Sequence, residues 1–221
     1  MKNTIYTIIM IALIAVAAFL IISPSNSVAP VDNVEPVVQQ DEVVEEVVED
    51  STYEYSVDLD KSEVNWVGTK KFLDGYEDKG TLSLLSGGLN LMTEGNVAEG
   101  EFVFDMDSII ATETGVGGGV NNLTRHLKSD DFFDVENHPT AKFVITDSDE
   151  SSVSGDLTVK GITNPISMNV SWNDMDQFVT GVVSINRVDF GIDFLSEGLV
   201  GLAKDKIVAD TFDLEFKVHY E

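Results

Sequence analysis

His126 stands four residues before Asp130 and five before Asp131, in the run Arg125-His126-Leu127-Lys128-Ser129-Asp130-Asp131-Phe132-Phe133-Asp134-Val135. An imidazole within reach of a carboxylate can move a proton, so the spacing here suits acid–base chemistry. The same residue types also cap and solvate the end of a short helix, where Ser and Asp side chains bond to nearby backbone. The run differs from a catalytic loop in its sequel. The aromatic pair Phe132-Phe133 comes next, then His138-Pro139, and then an alternating stretch through Phe143. That order describes a lid or mouth element leading into β-structure with an apolar interior.

Other reactive arrangements are missing. The chain has no cysteine, which excludes disulfides, thiolate metal centres and cysteine nucleophiles. His126, His138 and His219 are far apart and lack the HxxxH spacing of a zinc helix. Gly115-Val116-Gly117-Gly118-Gly119-Val120 imitates a dinucleotide loop, but its sixth position is valine and no βαβ alternation surrounds it, so a flexible turn is expected. The chain has no Gly-x-Ser-x-Gly elbow, and its Asp-rich stretches lack calcium-loop spacing. The expectation is a non-enzymatic protein without cofactor or metal.

The elements that must position these residues read as strands. Glu63 to Gly68, Thr81 to Leu84, Gly88 to Leu91 and Glu101 to Asp107 have strand character, with a turn expected at Ser86-Gly87-Gly88. Phe143 and Ile145 lie in a further strand. Ile166, Met168, Val170 and Trp172 alternate with polar residues, as do Val179, Gly181, Val183 and Ile185, and finally Phe212, Leu214, Phe216, Val218 and Tyr220. Period-two alternation buries one face and wets the other. About eight such strands joined by turns make the chain all-β, an antiparallel barrel or sandwich. Only Val120 to Phe133 has a helical pattern, in one or two short pieces. An eight-stranded barrel is just wide enough to fill itself with side chains or to hold one ligand. Phe102, Phe104, Phe143, Trp172, Phe212 and Phe216 therefore either pack a solid core or line an apolar slot.

Charge and the N-terminal region bound the partners. With 13 basic against 39 acidic residues the net charge is −26, so nucleic acid is repelled. An anionic membrane surface is repelled too unless an apolar anchor holds the chain there. Residues 5–22 form an apolar run preceded by Lys2 alone, on the border between a signal peptide and a spanning anchor. Residues 1–29 are read as a signal peptide or signal anchor, which joins the protein to the membrane if uncleaved. Either way residues 53–221 are expected outside the cytoplasm, in a periplasmic or extracytoplasmic space. Residues 30–52 carry many carboxylates and no basic residue, and read as an extended, self-repelling tether. The sequence sets no oligomeric state.

Three ordered blocks give the chain a resemblance to a known family. They are Arg125 to Val135 with Pro139 and Phe143, then Val153 to Ile166 with its Gly155-Asp156-Leu157-Thr158 and Gly161-Ile162-Thr163-Asn164-Pro165, and finally Arg187-Val188-Asp189-Phe190-Gly191. Over about residues 55–220 the chain resembles the YceI-like family of polyisoprenoid-binding, periplasmic, lipocalin-like proteins. The resemblance implies an extended antiparallel β-barrel with a long apolar tunnel for an isoprenoid or other long-chain amphiphilic lipid. In that picture Arg125 and His126 meet the head group near a mouth. Phe132, Phe133 and Phe190 close or line the tunnel with Phe102, Phe104, Phe143, Trp172 and Phe212. Arg187 pairs with Asp189 to pin a strand and its turn, and Gly155, Gly161 and Pro165 set turns. The leading expectation is a lipid carrier. The alternatives are a non-catalytic interaction or stress-response module with a filled barrel, and a hydrolase or isomerase using His126 with Asp130 or Asp131.

Overall fold

Alternating apolar residues leave each strand with one face that must be covered, and here the sheet covers itself by closing. The structure is a computed structural model that describes residues 52–92, 97–115 and 119–221. The assignments for residues 1–29 and for 30–51 of the expected 30–52 tether, and the middle of the glycine-rich loop at 116–118, lie outside them, while Thr52 opens the first strand. Eight strands run β1 Thr52–Lys70, β2 Glu77–Met92, β3 Val97–Glu113, β4 Thr140–Ser148, β5 Ser152–Val159, β6 Ile162–Asn173, β7 Phe178–Asn186 and β8 Val208–Tyr220. Each pairs antiparallel with its chain neighbour, and β8 pairs back onto β1, so the barrel is closed. Closure removes the sheet edges on which another chain could add.

Antiparallel succession places alternate connections at opposite ends. The β1–β2, β3–β4, β5–β6 and β7–β8 connections share one end, and β2–β3, β4–β5 and β6–β7 the other. Helix α1, Val120–Lys128, lies in the β3–β4 connection. β3 pairs with β4 only over Gly100–Asp105. Its remainder continues with β2, where Ile110 opposes Thr81 and Glu113 opposes Lys79. α1 packs on that extension, and the Ala111 N–H donates to Thr124 Oγ1 at 2.9 Å. Among the described residues no helix is long and apolar enough to cross a membrane.

Three local readings change, one of them at Pro165, which lies inside β6 opposite Asp156 and sets no turn. Ser86-Gly87-Gly88 is not a turn but the middle of β2. The missing side chain there admits a neighbour rather than a reversal, since a Cβ on Gly87 would stand 2.8 Å from Val57 Cγ2. Gly155 likewise lies inside β5 and not in a turn, with the Phe143 ring pressed over its α-carbon. Gly161 does turn the chain. It follows Lys160, both have positive φ, of 73° and 50°, and a two-residue hairpin with both central residues at positive φ matches the strand twist.

Candidate ligand-binding site

Inward-facing side chains from all eight strands line two apolar chambers. The larger, about 360 Å³, lies towards the α1 end. The smaller, about 80 Å³, lies deeper. Phe104 of β3, Leu157 of β5, Ile185 of β7 and Leu214 of β8 line both, so they form a waist between the chambers. Strand register builds this stack. Phe102 opposes Phe143, Phe143 opposes Leu157, and Phe104 opposes Ala141. On the other side Val183 opposes Leu214 and Ile185 opposes Phe212.

The deep end is closed by rings. Tyr55 meets Tyr220 edge-on at 5.4 Å between centroids, and Trp172 meets Tyr220 at 6.2 Å. Burial pushes the Tyr220 hydroxyl pKa up. The Trp172 Nε1–H is buried without a hydrogen-bond partner among the described residues.

The mouth is built by α1 and the tight turns after it. Leu123 and Leu127, four residues apart, share the helix face turned to the chamber, while Arg125 is exposed. Phe133 N–H donates to Leu127 O at 3.1 Å, Val135 N–H to Lys128 O at 3.0 Å and Asp134 N–H to Ser129 O at 2.8 Å. These bonds fold Ser129–Val135 back onto the helix end and drive Phe132 inward to 8% exposure. The carboxylates of Asp130 and Asp131 stay exposed. His126 Nε2 lies 3.3 Å from Asp131 Oδ2. The imidazole also packs edge-on against Phe132 and Phe194, at 5.0 and 4.6 Å.

Arg187 sits in the wall of the larger chamber with 3% of its surface exposed. It opens the 3-10 turn Arg187–Phe190, capped by the Asn186 side chain and closed by Gly191 at φ 72°. Its Nε donates to Ala209 O at 2.9 Å, Nη1 to Ile192 O at 2.8 Å and Nη2 to Val208 O at 3.3 Å. Burial lowers its pKa, and Asp210 is the chief charge acting the other way. The expected pairing of Arg187 with Asp189 is therefore corrected. Arg187 pairs with Asp210 at 3.6 Å, whereas Asp189 Oδ1 accepts from Asn186 Nδ2 at 3.0 Å. The 3-10 turn carries the Asp189 carboxylate to its own cap and leaves the guanidinium facing the β8 backbone.

The residues picked from sequence distribute unevenly. His126, Phe132, Phe133 and Phe212 line the larger chamber, Phe102, Phe143 and Trp172 the smaller, and Phe104 both. Two stand elsewhere. Arg125 is exposed and bonds through Nη2 to Asn122 Oδ1 at 2.8 Å, because it lies on the helix face opposite Leu123 and Leu127. Phe190, 2% exposed, is buried in the 3-10 turn and lines neither chamber. Residues not singled out include Tyr76 and Phe194, and Arg187 was expected to pin a turn and not to line a chamber; all three line the larger chamber. Their signal was weak because loops and a 3-10 turn carry them, where period-two alternation says nothing.

The chain has known relatives. A family model described as the YceI-like domain matches residues 55–220. The UPF0312 protein SAS2572 from Staphylococcus aureus (strain MSSA476) is 38% identical over 117 residues, covering 46% of this chain and 68% of its own. The UPF0312 protein SAR2769 from Staphylococcus aureus (strain MRSA252) is 37% identical over the same length and shares. The crystal structure of Burkholderia cenocepacia BcnA aligns with a TM-score of 0.54 at 23% identity, covering 73% of this chain and 98% of that one. The polyisoprenoid binding domain from Saccharophagus degradans, implicated in plant cell wall breakdown, aligns with a TM-score of 0.51 at 17% identity, covering 76% and 97%. At those identities the solved structures speak for the fold. The family match runs from β1 to β8 and takes in all three sequence blocks, and the chain belongs to the YceI-like family.

Proposed function

We propose that this barrel binds and carries a long-chain apolar lipid of the isoprenoid class, without catalysing a reaction on it. The observation that carries this reading is the pair of adjacent apolar chambers that share Phe104, Leu157, Ile185 and Leu214 as lining. A dry cavity of about 150 Å³ already admits a benzene ring, so the larger chamber, at about 360 Å³, has room for several chain carbons. A filled barrel, the premise of the interaction-module alternative, is at odds with that space. The tail enters the waist and smaller chamber, and the polar end stays near His126, Lys70 and Lys206 at the mouth. Burial at about 25 cal/mol per Å² of apolar surface drives the association. The Saccharophagus degradans domain, described as polyisoprenoid binding, supports the ligand class.

The apolar run at residues 5–22 supports work outside the cytoplasm, with the lipid taken from or delivered to a membrane. His126 and Asp131 shape the mouth in this reading rather than turn over a substrate, since the imidazole is wedged between two phenyl rings. Organic extraction of the purified protein, followed by mass spectrometry, tests the proposal. A stoichiometric isoprenoid is expected. A protein that yields no lipid, and takes none up when incubated with isoprenoid and acyl lipids, contradicts it.

A further inference from the structure

Lys70 and Tyr76 of the β1–β2 turn at 70–76, and Leu195 and Lys206 of the β7–β8 connection at 195–206, line the larger chamber beside α1, and the two segments touch each other. Lys71 Nζ bonds Glu197 Oε2 at 3.0 Å, and Lys70 Nζ donates to Asp205 O at 3.3 Å. Lys204 Nζ lies over the Phe72 ring at 5.3 Å. The two segments form one rim, and this rim combines two features.

First, its tip is apolar and bare. Val200 is 99% exposed, Phe72 48% and Leu199 45%. Leu199-Val200 is framed by Gly198 and Gly201, and a Cβ built on either glycine meets nothing within 4 Å, so the tip projects into open space. Secondly, the rim escapes the charge of the chain. It carries Lys70, Lys71, Lys204 and Lys206 against Asp74, Glu197 and Asp205, four cations to three carboxylates, in a protein of net charge −26. Projecting apolar side chains with lysines on the same two segments, Lys71 and Lys206 of them ion-paired to Glu197 and Asp205, match the boundary between acyl chains and phosphates in a bilayer. The far end ends otherwise. The β6–β7 turn exposes Met175, at 93%, between Asp174 and Asp176, where carboxylates disfavour lipid phosphates.

We infer that the rim formed by Phe72, Leu199 and Val200 with Lys70, Lys71 and Lys204 is the surface by which the barrel docks on a lipid bilayer, mouth towards the membrane. This rests on the carrier reading and adds a route. A ligand that leaves the acyl layer between Phe72 and Leu199 reaches Phe194 and Phe132 without its tail crossing bulk water.

The chain has no cysteine, so Val200→Cys in the full chain takes a single environment-sensitive fluorophore, and Met175→Cys provides the matched control. Vesicles of phosphatidylcholine with a quarter phosphatidylglycerol carry a quencher on their acyl chains. A blue-shifted, quenched label at 200 and an unaffected one at 175 is the expected result. Adding Phe72→Asp and Leu199→Asp to the labelled chain then lowers the quenched fraction on the order of tenfold, the loss of one to two buried apolar side chains. Equal quenching at 200 and 175 overturns the inference, because the vesicle then holds the chain without orienting the mouth. Quenching at neither site overturns it too. A blue shift that needs no vesicle and grows with protein concentration overturns it in favour of a second copy as the partner. Failure here with lipid still found in the extracted protein removes the docking route alone, whereas absence of lipid removes the carrier reading.

Discussion

Arg187 Nη2 stands 3.6 Å from Asp210 Oδ1, yet the backbone and not that carboxylate takes most of the guanidinium's bonds. Three carbonyl oxygens, of Ala209, Ile192 and Val208, accept from it where the 3-10 turn meets β8. Arg187→Ala leaves those carbonyls without a donor and is expected to destabilise the fold by about 1–3 kcal/mol for each acceptor that stays buried and unpaired. Asp210→Asn keeps an oxygen for the Glu197 N–H, now 2.9 Å away, and is expected to cost roughly 1 kcal/mol. Urea unfolding of both variants measures the asymmetry. Equal losses would mean that the ion pair, and not the carbonyl clamp, carries the interaction.

The waist predicts a length-dependent phenotype. Ile185→Phe together with Leu214→Phe adds bulk where the chambers meet. Each methylene excluded from the smaller chamber forfeits about 0.8 kcal/mol. A lipid long enough to span both chambers is expected to bind at least about tenfold more weakly, while one confined to the larger chamber keeps its affinity. Titration with a homologous series of isoprenoid alcohols reads this directly, and a uniform loss across the series would deny that the chambers are used in sequence.

Gly155 couples the barrel wall to the smaller chamber. A Cβ at that position would stand 2.3 Å from the Val144 carbonyl oxygen and 2.6 Å from Phe143 Cε2, so the ring accounts for part of the clash only. Gly155→Ala is expected to cost about 1–3 kcal/mol, as overpacked cores do, and to push the Phe143 ring into the chamber. Phe143→Leu in the same chain should recover part of the loss. A double-mutant cycle on thermal unfolding checks it, and strict additivity would show that the two residues do not meet.

Asp149 gives the β4–β5 turn a pH dependence. Its Oδ1 accepts from the Ser151 and Ser152 N–H groups at 2.7 and 2.8 Å, and its Oδ2 from Ser152 Oγ at 2.8 Å. The Ser151 N–H first, and the Ser152 hydroxyl next, hold its carboxyl below the ordinary aspartate value. A lowered folded-state pKa means that the stabilisation is complete above the unfolded value, near 3.9, and is lost as pH falls through the folded one. The difference in Tm between the parent and Asp149→Ala should therefore be flat above about pH 5 and shrink below pH 4. A difference that stays constant to low pH would show that the ionised form is not the one bound.

Much of the barrel was legible because its residues obey a period. Alternation put Phe102 and Phe104 on one face of β3, and both line chambers. It matched Ile166, Met168, Val170 and Trp172 in β6 for the same reason. The misreadings fall where alternation carries no information. Gly87 and Gly88 resemble a turn by type, but the space they leave is occupied by Val57 and Phe102 at Gly87 and by the Tyr55 carbonyl oxygen at Gly88. Arg187 was matched to the nearest carboxylate in sequence, Asp189, although closure of β7 against β8 brings Asp210 to it from 23 residues away. Arg125 shares a motif with His126, but one residue along a helix turns a side chain by about 100°, which separates the solvent face from the chamber.

The central claim, that the two chambers hold one long-chain lipid, is tested most directly by native mass spectrometry of the purified protein followed by solvent extraction of whatever it carries. The account predicts a single stoichiometric adduct whose extracted mass belongs to an isoprenoid-type chain, and its loss when the waist is filled by Ile185→Phe and Leu214→Phe. A bare protein mass that stays unchanged after incubation with isoprenoid and acyl lipids would contradict it.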